Sequence, residues 1–268
     1  MKKVFLSLMV FISLITSNCS KSEDNPSTNG TSQETHQQQP QKQPQVQQEP
    51  PISSWEYELS PDGKTLVRWK STTRTTLNMQ EHPILSQVTT IGTWAFENCK
   101  SLKSITFPST LTTIKNGAFS KSGLTSIIIP EGITIIESSA FSNCKNLVSA
   151  SIPKSATSIG DWIFDNCDNL EEVTYAPKIV KENMLNNLAS LKKVTLLESV
   201  TSINEWAFEN SRKLTTVIVK ATIPPLLRGE NVFRNTSIEH IYVPTSSINA
   251  YKTDRLWKNF ASKIQAQP

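Results

Sequence analysis

The chain has 268 residues, with 27 Lys and Arg against 23 Asp and Glu, for a net charge of +4 at pH 7. Part of that mild surplus lies in Lys2, Lys3 and the C-terminal group Lys252, Arg255, Lys258 and Lys263, so there is no clustered basic face of the kind a nucleic-acid footprint requires. The three histidines, His36, His82 and His240, have no Cys, Asp or second His at metal-ligand spacing, and nucleophile and phosphate-cradling motifs are absent. No metal, no cofactor and no enzymatic activity is expected.

In chain order, the first element is a basic start, Lys2-Lys3, followed by an apolar run from Val4 to Ile15. The run is too short to span a bilayer and has the length of a signal-peptide core. It ends at Thr16-Ser17-Asn18-Cys19, which resembles a bacterial lipoprotein signal. That resemblance implies a signal peptide over 1–18, a lipid on Cys19, and an exported protein held at the outer membrane or cell surface through its anchor. Asn18 departs from the small residue usual before such a Cys, and an ordinary secretory signal with an incidental Cys is the alternative.

Residues 19–50 read as a tether. From Ser20 to Pro50 there is no aromatic residue and only one branched aliphatic, Val46, and a Gln/Pro tract runs from Gln37 to Pro50. Such a composition cannot offset the entropy of ordering. Lys21-Ser22-Glu23-Asp24 loosely resembles the acidic stretch after the lipidated Cys in surface-exported lipoproteins of Bacteroidetes-type bacteria. Residues 51–87 read as an N-terminal cap, with a hairpin from Trp55 to Trp69 turning at Pro61-Asp62-Gly63.

From 88 to 245 the sequence repeats about seven times at 22 to 23 residues, and this period decides the fold. The fullest copy runs from Ile91 through Ala95-Phe96, Cys99, Leu102 and Ile105 to Phe107-Pro108. Later copies return Ala118-Phe119, Ala140-Phe141, Ile163-Phe164 and Ala207-Phe208 in the same order, with one degenerate copy around Met184-Leu185. The alternation in Leu102 to Phe107 is that of a strand, ended where Pro108, Pro130, Pro153 and Pro244 remove a donor. The Ala-Phe-x-x-Cys portion fits a helical or 3-10 turn. No copy can bury its apolar side alone, so the expected fold is a repeat solenoid. It is a leucine-rich-repeat-like right-handed superhelix of short parallel strands and short turns, capped at both ends.

This layout resembles the BspA-like leucine-rich repeat family of bacterial surface proteins. The resemblance implies a curved scaffold whose strands line the concave side, and a binding or adhesion role without naming a ligand. A tail in which Ala221 to Pro225 precedes the last coil is also similar to these proteins. A capping helix is expected over 246–268, starting at Ser247 and burying Ile248, Tyr251, Leu256, Trp257, Phe260 and Ile264.

The remaining polar groups follow the repeat. Cys99, Cys144 and Cys167 share one core position and are expected as buried thiols. Asp161, Asp165, Asp168, Glu171 and Glu172 form an acidic run at solvated turns. Trp94, Trp162 and Trp206 are expected to pack on neighbouring turns. Between the inward residues of each strand, outward positions follow from period two. They are Ser104, Thr106, Ser126, Ile128, Ser149, Ser151, Glu172, Thr174, Lys193, Thr195, Thr216, Ile218, His240 and Tyr242. This mostly hydroxyl surface, roughly 30 Å long at a strand spacing of about 4.8 Å, is the expected binding face for a host or neighbouring-cell protein or glycan, presented by a monomer. The alternative is a structural component of the cell envelope without a soluble ligand. If Cys19 carries acyl chains, the protein will fractionate with membranes, and Cys19→Ala will release it or block maturation; a wild-type protein wholly soluble after lysis would contradict the anchor.

Overall fold

The computed structural model describes residues 49–268; Cys19 and residues 1–48 lie outside the described residues. The chain enters through an antiparallel hairpin of β1 (Tyr57–Leu59) and β2 (Thr65–Trp69). Each coil then contributes one longer and one shorter strand. The longer ones are β3 (Thr76–Asn78), β5 (Ser104–Thr106), β7 (Ser126–Ile128), β9 (Ser149–Ile152), β11 (Glu172–Tyr175), β13 (Lys193–Leu196), β15 (Thr216–Val219) and β17 (His240–Val243). Alternating with them along the chain are β4 (Thr90–Ile91), β6 (Thr113–Ile114), β8 (Ile135–Ile136), β10 (Ser158–Ile159), β12 (Ile179–Val180), β14 (Ser202–Asn204) and β16 (Leu226–Arg228), and β18 (Ile264–Ala266) closes the chain. Apart from the hairpin every pairing is parallel. The result is the expected right-handed solenoid.

A third side of each coil is made of tight turns. Ala95, Glu97 and Cys99 donate to the carbonyls three residues before them, at Gly92, Trp94 and Phe96, which is the 3-10 pattern. Two residues in each of six coils, and one in the last, interrupt it with positive φ. One column holds Trp94, Gly117, Ser139, Trp162, Asn183 and Trp206; the other holds Asn98, Lys121, Asn143, Asn166, Asn187, Asn210 and Asn235. Asn dominates the second column because its short polar side chain tolerates the left-handed region better than most residues do. The alternation turns every second amide toward the next coil: Phe96 N–H donates to Ala118 at 2.7 Å, Asn98 to Ser120 at 2.9 Å and Phe119 to Ala140 at 2.8 Å. The turns thereby form a hydrogen-bonded ladder of their own, which runs up to the coil of Phe164 and resumes from Leu185, whose amide donates to Ala207.

Inside, the aromatic residues stack into a column. Ring centroids lie 5.8 Å apart between Trp69 and Phe96, 4.7 Å between Phe96 and Phe119, 5.3 Å between Phe119 and Phe141, and 5.8 Å between Phe141 and Phe164. Leu185 replaces a ring in the degenerate coil, after which Phe208, Phe233 and Trp257 resume the column.

Both ends depart from the expected boundaries. The sequence reading begins the array at residue 88, yet parallel pairing begins earlier: Thr65-Leu66 pair with Thr90-Ile91, and Thr76–Asn78 with Ser104–Thr106. Residues 65–87 are a coil whose Trp69 takes the Phe position. In place of the single helix expected over 246–268 there is a short α1 (Ile248–Thr253), a 3-10 turn at Trp257–Phe260, and β18 on the open edge of β17. Asp254 ends α1 and accepts from the Leu256 and Trp257 amides. Pairing Ile264 with Ile241 then satisfies an edge that a longer helix would have left bare.

The N-terminal cap is pinned by a buried ion pair. Arg74 Nε and Nη2 donate to the two Glu56 carboxylate oxygens at 2.9 and 2.8 Å, both side chains being almost fully buried. The guanidinium bonds hold the Glu56 carboxyl at about 2, down from 4.5. A depressed carboxyl stabilises the fold fully above its unfolded value and loses that contribution as pH falls through its folded value. The wild-type unfolding midpoint will therefore fall steeply between pH 4.5 and about 2, whereas Glu56→Gln will start lower at neutral pH and change less over this interval. In the core, Phe141→Ala will lower unfolding free energy by roughly 3 to 5 kcal/mol, against less than ~0.5 kcal/mol for the exposed Trp55→Ala; equal midpoints for the two in denaturant titrations would contradict the aromatic column.

Candidate functional site

The strand face is built by register. Ser126, Ser149, Glu172, Lys193, Thr216 and His240 align across β7 to β17 in one outward column, and Ile128, Ser151, Thr174, Thr195, Ile218 and Tyr242 in a second. Between them Ile127, Ala150, Val173, Val194, Val217 and Ile241 are buried, so period two holds along the seven-stranded sheet. Two corrections apply to the expected face. Ser104 and Thr106 are outward on β5, but β5 pairs with β3 and not with β7, so they sit on a separate two-stranded sheet beside Thr76 and Asn78. At the other end the face extends one strand further, to Gln265, which aligns with Tyr242.

The chemistry of the face changes along its length. Its middle is charge-compensated, with Lys193 Nζ 2.8 Å from Glu172. Toward the C-terminal end Ile218 lies beside Tyr242, the Tyr242 ring stacks on His240 at 5.7 Å, and His240 Nδ1 is 2.8 Å from the Gln265 amide. Ile128 is 74% exposed at the opposite edge of the seven-stranded sheet. Thr76, Asn78 and Gln265 are outward strand residues that lie beyond the recognisable repeats. Buried Leu77 and Ile264, each flanked by polar residues, are their signal in the sequence.

Of the other groups singled out in the sequence, Cys144 and Cys167 are buried, Cys99 is only half-buried because it lies nearer the first coil, and Trp94, Trp162 and Trp206 remain partly exposed on the turns. The thiols are free, but they are more than small apolar fillers. Cys144 and Cys167 each donate at 3.1 Å to the carbonyls of Phe119 and Phe141 one coil back, and Ser211 donates to Leu185 in the same way. Cys144, Cys167 and Ser211 thus fill the position with a small donor, whereas the degenerate coil places Leu188 there. The hydrogen bond with Cys144, together with burial, keeps the Cys167 thiol protonated well above its ordinary range. The acidic run is partly paired with lysines, Asp168 with Lys145 and Glu171 with Lys192. Among the described residues no group of three or more His, Cys, Asp or Glu could hold a metal. Trp94 lies across Gly117, where an added Cβ would come within 2.0 Å of the indole ring; with φ at +58° as well, that position admits glycine alone without rearrangement.

Comparison with known proteins places this architecture. A leucine-rich repeat protein from Eubacterium ventriosum superposes with a TM-score of 0.56 at 24% identity, covering 67% of this chain and 48% of that one. This chain thus spans about half the length of that relative. A leucine-rich repeat protein of T. pallidum gives a TM-score of 0.43 at 19% identity over 81% of this chain and 99% of that one. A leucine-rich cell surface protein from Faecalibacterium prausnitzii gives 0.35 at 18% identity over 77% and 99%. No curated protein matches. The family model for the BspA type leucine-rich repeat region matches residues 71–181 and 178–254, in six copies, which together are more than half of the chain. The chain belongs to the BspA-type leucine-rich repeat family.

Proposed function

We propose that the protein is a cell-surface binding or adhesion scaffold that recognises an extended polypeptide or glycan through its strand face. The observation that carries this reading is the cluster of Ile218, His240 and Tyr242, half-buried aromatic and apolar groups facing outward beside polar donors on a sheet whose other outward residues are mostly hydroxyls. Outward-facing tyrosines next to polar groups are frequent anchors of binding. The face is open and roughly 30 Å long at about 4.8 Å per strand, which suits a ligand laid across several coils better than an enclosed metabolite. The lipoprotein-like start ending at Cys19 would hold this face outside the cell, with a host or neighbouring-cell molecule as partner. The Ser and Thr that dominate the sheet favour a second reading, a structural envelope component, because a sheet that is merely solvated carries the same residues.

The test uses residues 49–268, which form one compact unit with Glu49 bound to Arg74 and Thr75. Probed against glycan and matrix-protein arrays, this unit will give saturable binding. Ile218→Ser with Tyr242→Ala will weaken that binding at least ~10-fold, or ~1.4 kcal/mol, without moving the unfolding midpoint. Silence on the arrays with co-purification of envelope proteins would favour the structural reading, and loss of binding through Trp94 or Trp162 instead would move the site to the turns.

A further inference from the structure

The second sheet is interrupted at one place in the array. β4, β6, β8 and β10 form one parallel ladder and β12, β14 and β16 another, with no pairing between β10 and β12. On the strand face the same two coils are fully joined, β9 and β11 pairing over four positions. The coils are therefore closed on one side and wedged apart on the other.

The cause is a short corner. From the first residue of the longer strand to the first residue of the shorter one there are nine positions in the coils starting at Ser104, Ser126, Ser149 and Lys193, but only seven from Glu172 to Ile179. The longer corners carry one inward residue each, Leu111, Ile133, Ala156 and Val200, all buried. The short corner, Ala176-Pro177-Lys178, has no counterpart, and the coil before it supplies the smallest of the set, Ala156. An apolar volume is left unfilled. It is a cavity of about 390 Å³ with Ala156, Ile159, Tyr175, Pro177 and Ile179 among its walls.

Its rim is cationic. Lys154, Lys178 and Lys181 line it and no carboxylate does. Lys181 Nζ donates to the Ile159 carbonyl, a group that the missing ladder would otherwise have occupied, and so bridges the wedge. Lys154 and Lys178 form no salt bridge among the described residues. At the back, Tyr175 Oη donates to the Ile179 carbonyl at 2.7 Å, so the phenol is satisfied within the protein. An apolar cavity of a few hundred Å³ with a few convergent polar groups is the usual form of a small-molecule site, and ammonium groups without acidic partners select an anion.

We propose that the wedge between β10 and β12 binds a small apolar carboxylate, its hydrocarbon part against Ala156, Ile159 and Ile179 and its carboxylate between Lys154 and Lys178. The site is separate from the strand face and does not depend on the role proposed for it. Sodium octanoate titrated into the full chain, followed by calorimetry, will bind saturably, and 1-octanol at least ~10-fold more weakly. Lys154→Gln with Lys178→Gln will weaken octanoate about tenfold and leave octanol unchanged. Ala156→Leu, which fills the cavity, will abolish binding of both, whereas Ile218→Ser with Tyr242→Ala will bind octanoate as the wild type does. The lysine changes touch no core group and keep the test decisive if Ala156→Leu does not fold. Absence of saturable octanoate binding up to about 10 mM, equal affinity for octanol, or unchanged affinity in the lysine variant would each overturn the proposal.

Discussion

The fold depends on the hydrogen bonds between coils, because a single coil leaves most of its backbone donors and acceptors facing its neighbours. Each coil is short, is apolar on its inner side, and satisfies only a few of its own amides. Its groups find partners one coil away on three sides, through the longer strands, the shorter strands and the turns with alternating left-handed residues. Unpaired buried amides and carbonyls carry a heavy desolvation cost, so the array is stable only when stacked. Cys144, Cys167 and Ser211 extend the same rule to side chains: each donates to a backbone carbonyl of the preceding coil.

The stack must end, and the ends are built from residues the repeat does not contain. Trp69 and Trp257 close the aromatic column in place of another Phe. The N-terminal coil is fixed by the Glu56–Arg74 pair. At the C-terminus Tyr251 Oη and Trp257 Nε1 donate to the carbonyls of Ala221 and Pro225, so the large plug residues are buried without stranding their polar atoms.

How much of this could be read from the sequence follows from what repeats. Phe96, Phe119, Phe141, Phe164 and Phe208 recur at coil spacing, and the alternation around Val173 or Val217 recurs with period two, so the core column and the outward face were both legible. The left-handed column was in plain view as Asn98, Asn143, Asn166, Asn187 and Asn210, but it reads as ordinary turn composition until the amide directions are known. Glu56 and Arg74 are 18 residues apart and occur once, so no periodicity points to them. The apolar spacing of Ile264 fits a helix, and the open edge of β17 outweighs that local preference. The wedge beside β12 lay hidden in a coil recognisable only as degenerate, since the effect of two missing residues depends on which corner loses them.

That short coil also says how the architecture absorbs change in chain length. In a sheet whose strands are set by their hairpins, a deletion slips the pairing register, and a one-residue slip turns inner residues outward for the rest of the strand. Here β11 remains in step with β9, and β14 pairs with β12 as if nothing had been lost. The following coil resets the phase, so beyond the lost β10–β12 pairing the array continues in register. Evolution can therefore lengthen, trim or ornament individual corners without rebuilding the array, and each such local departure can become a feature unique to one point on an otherwise uniform surface.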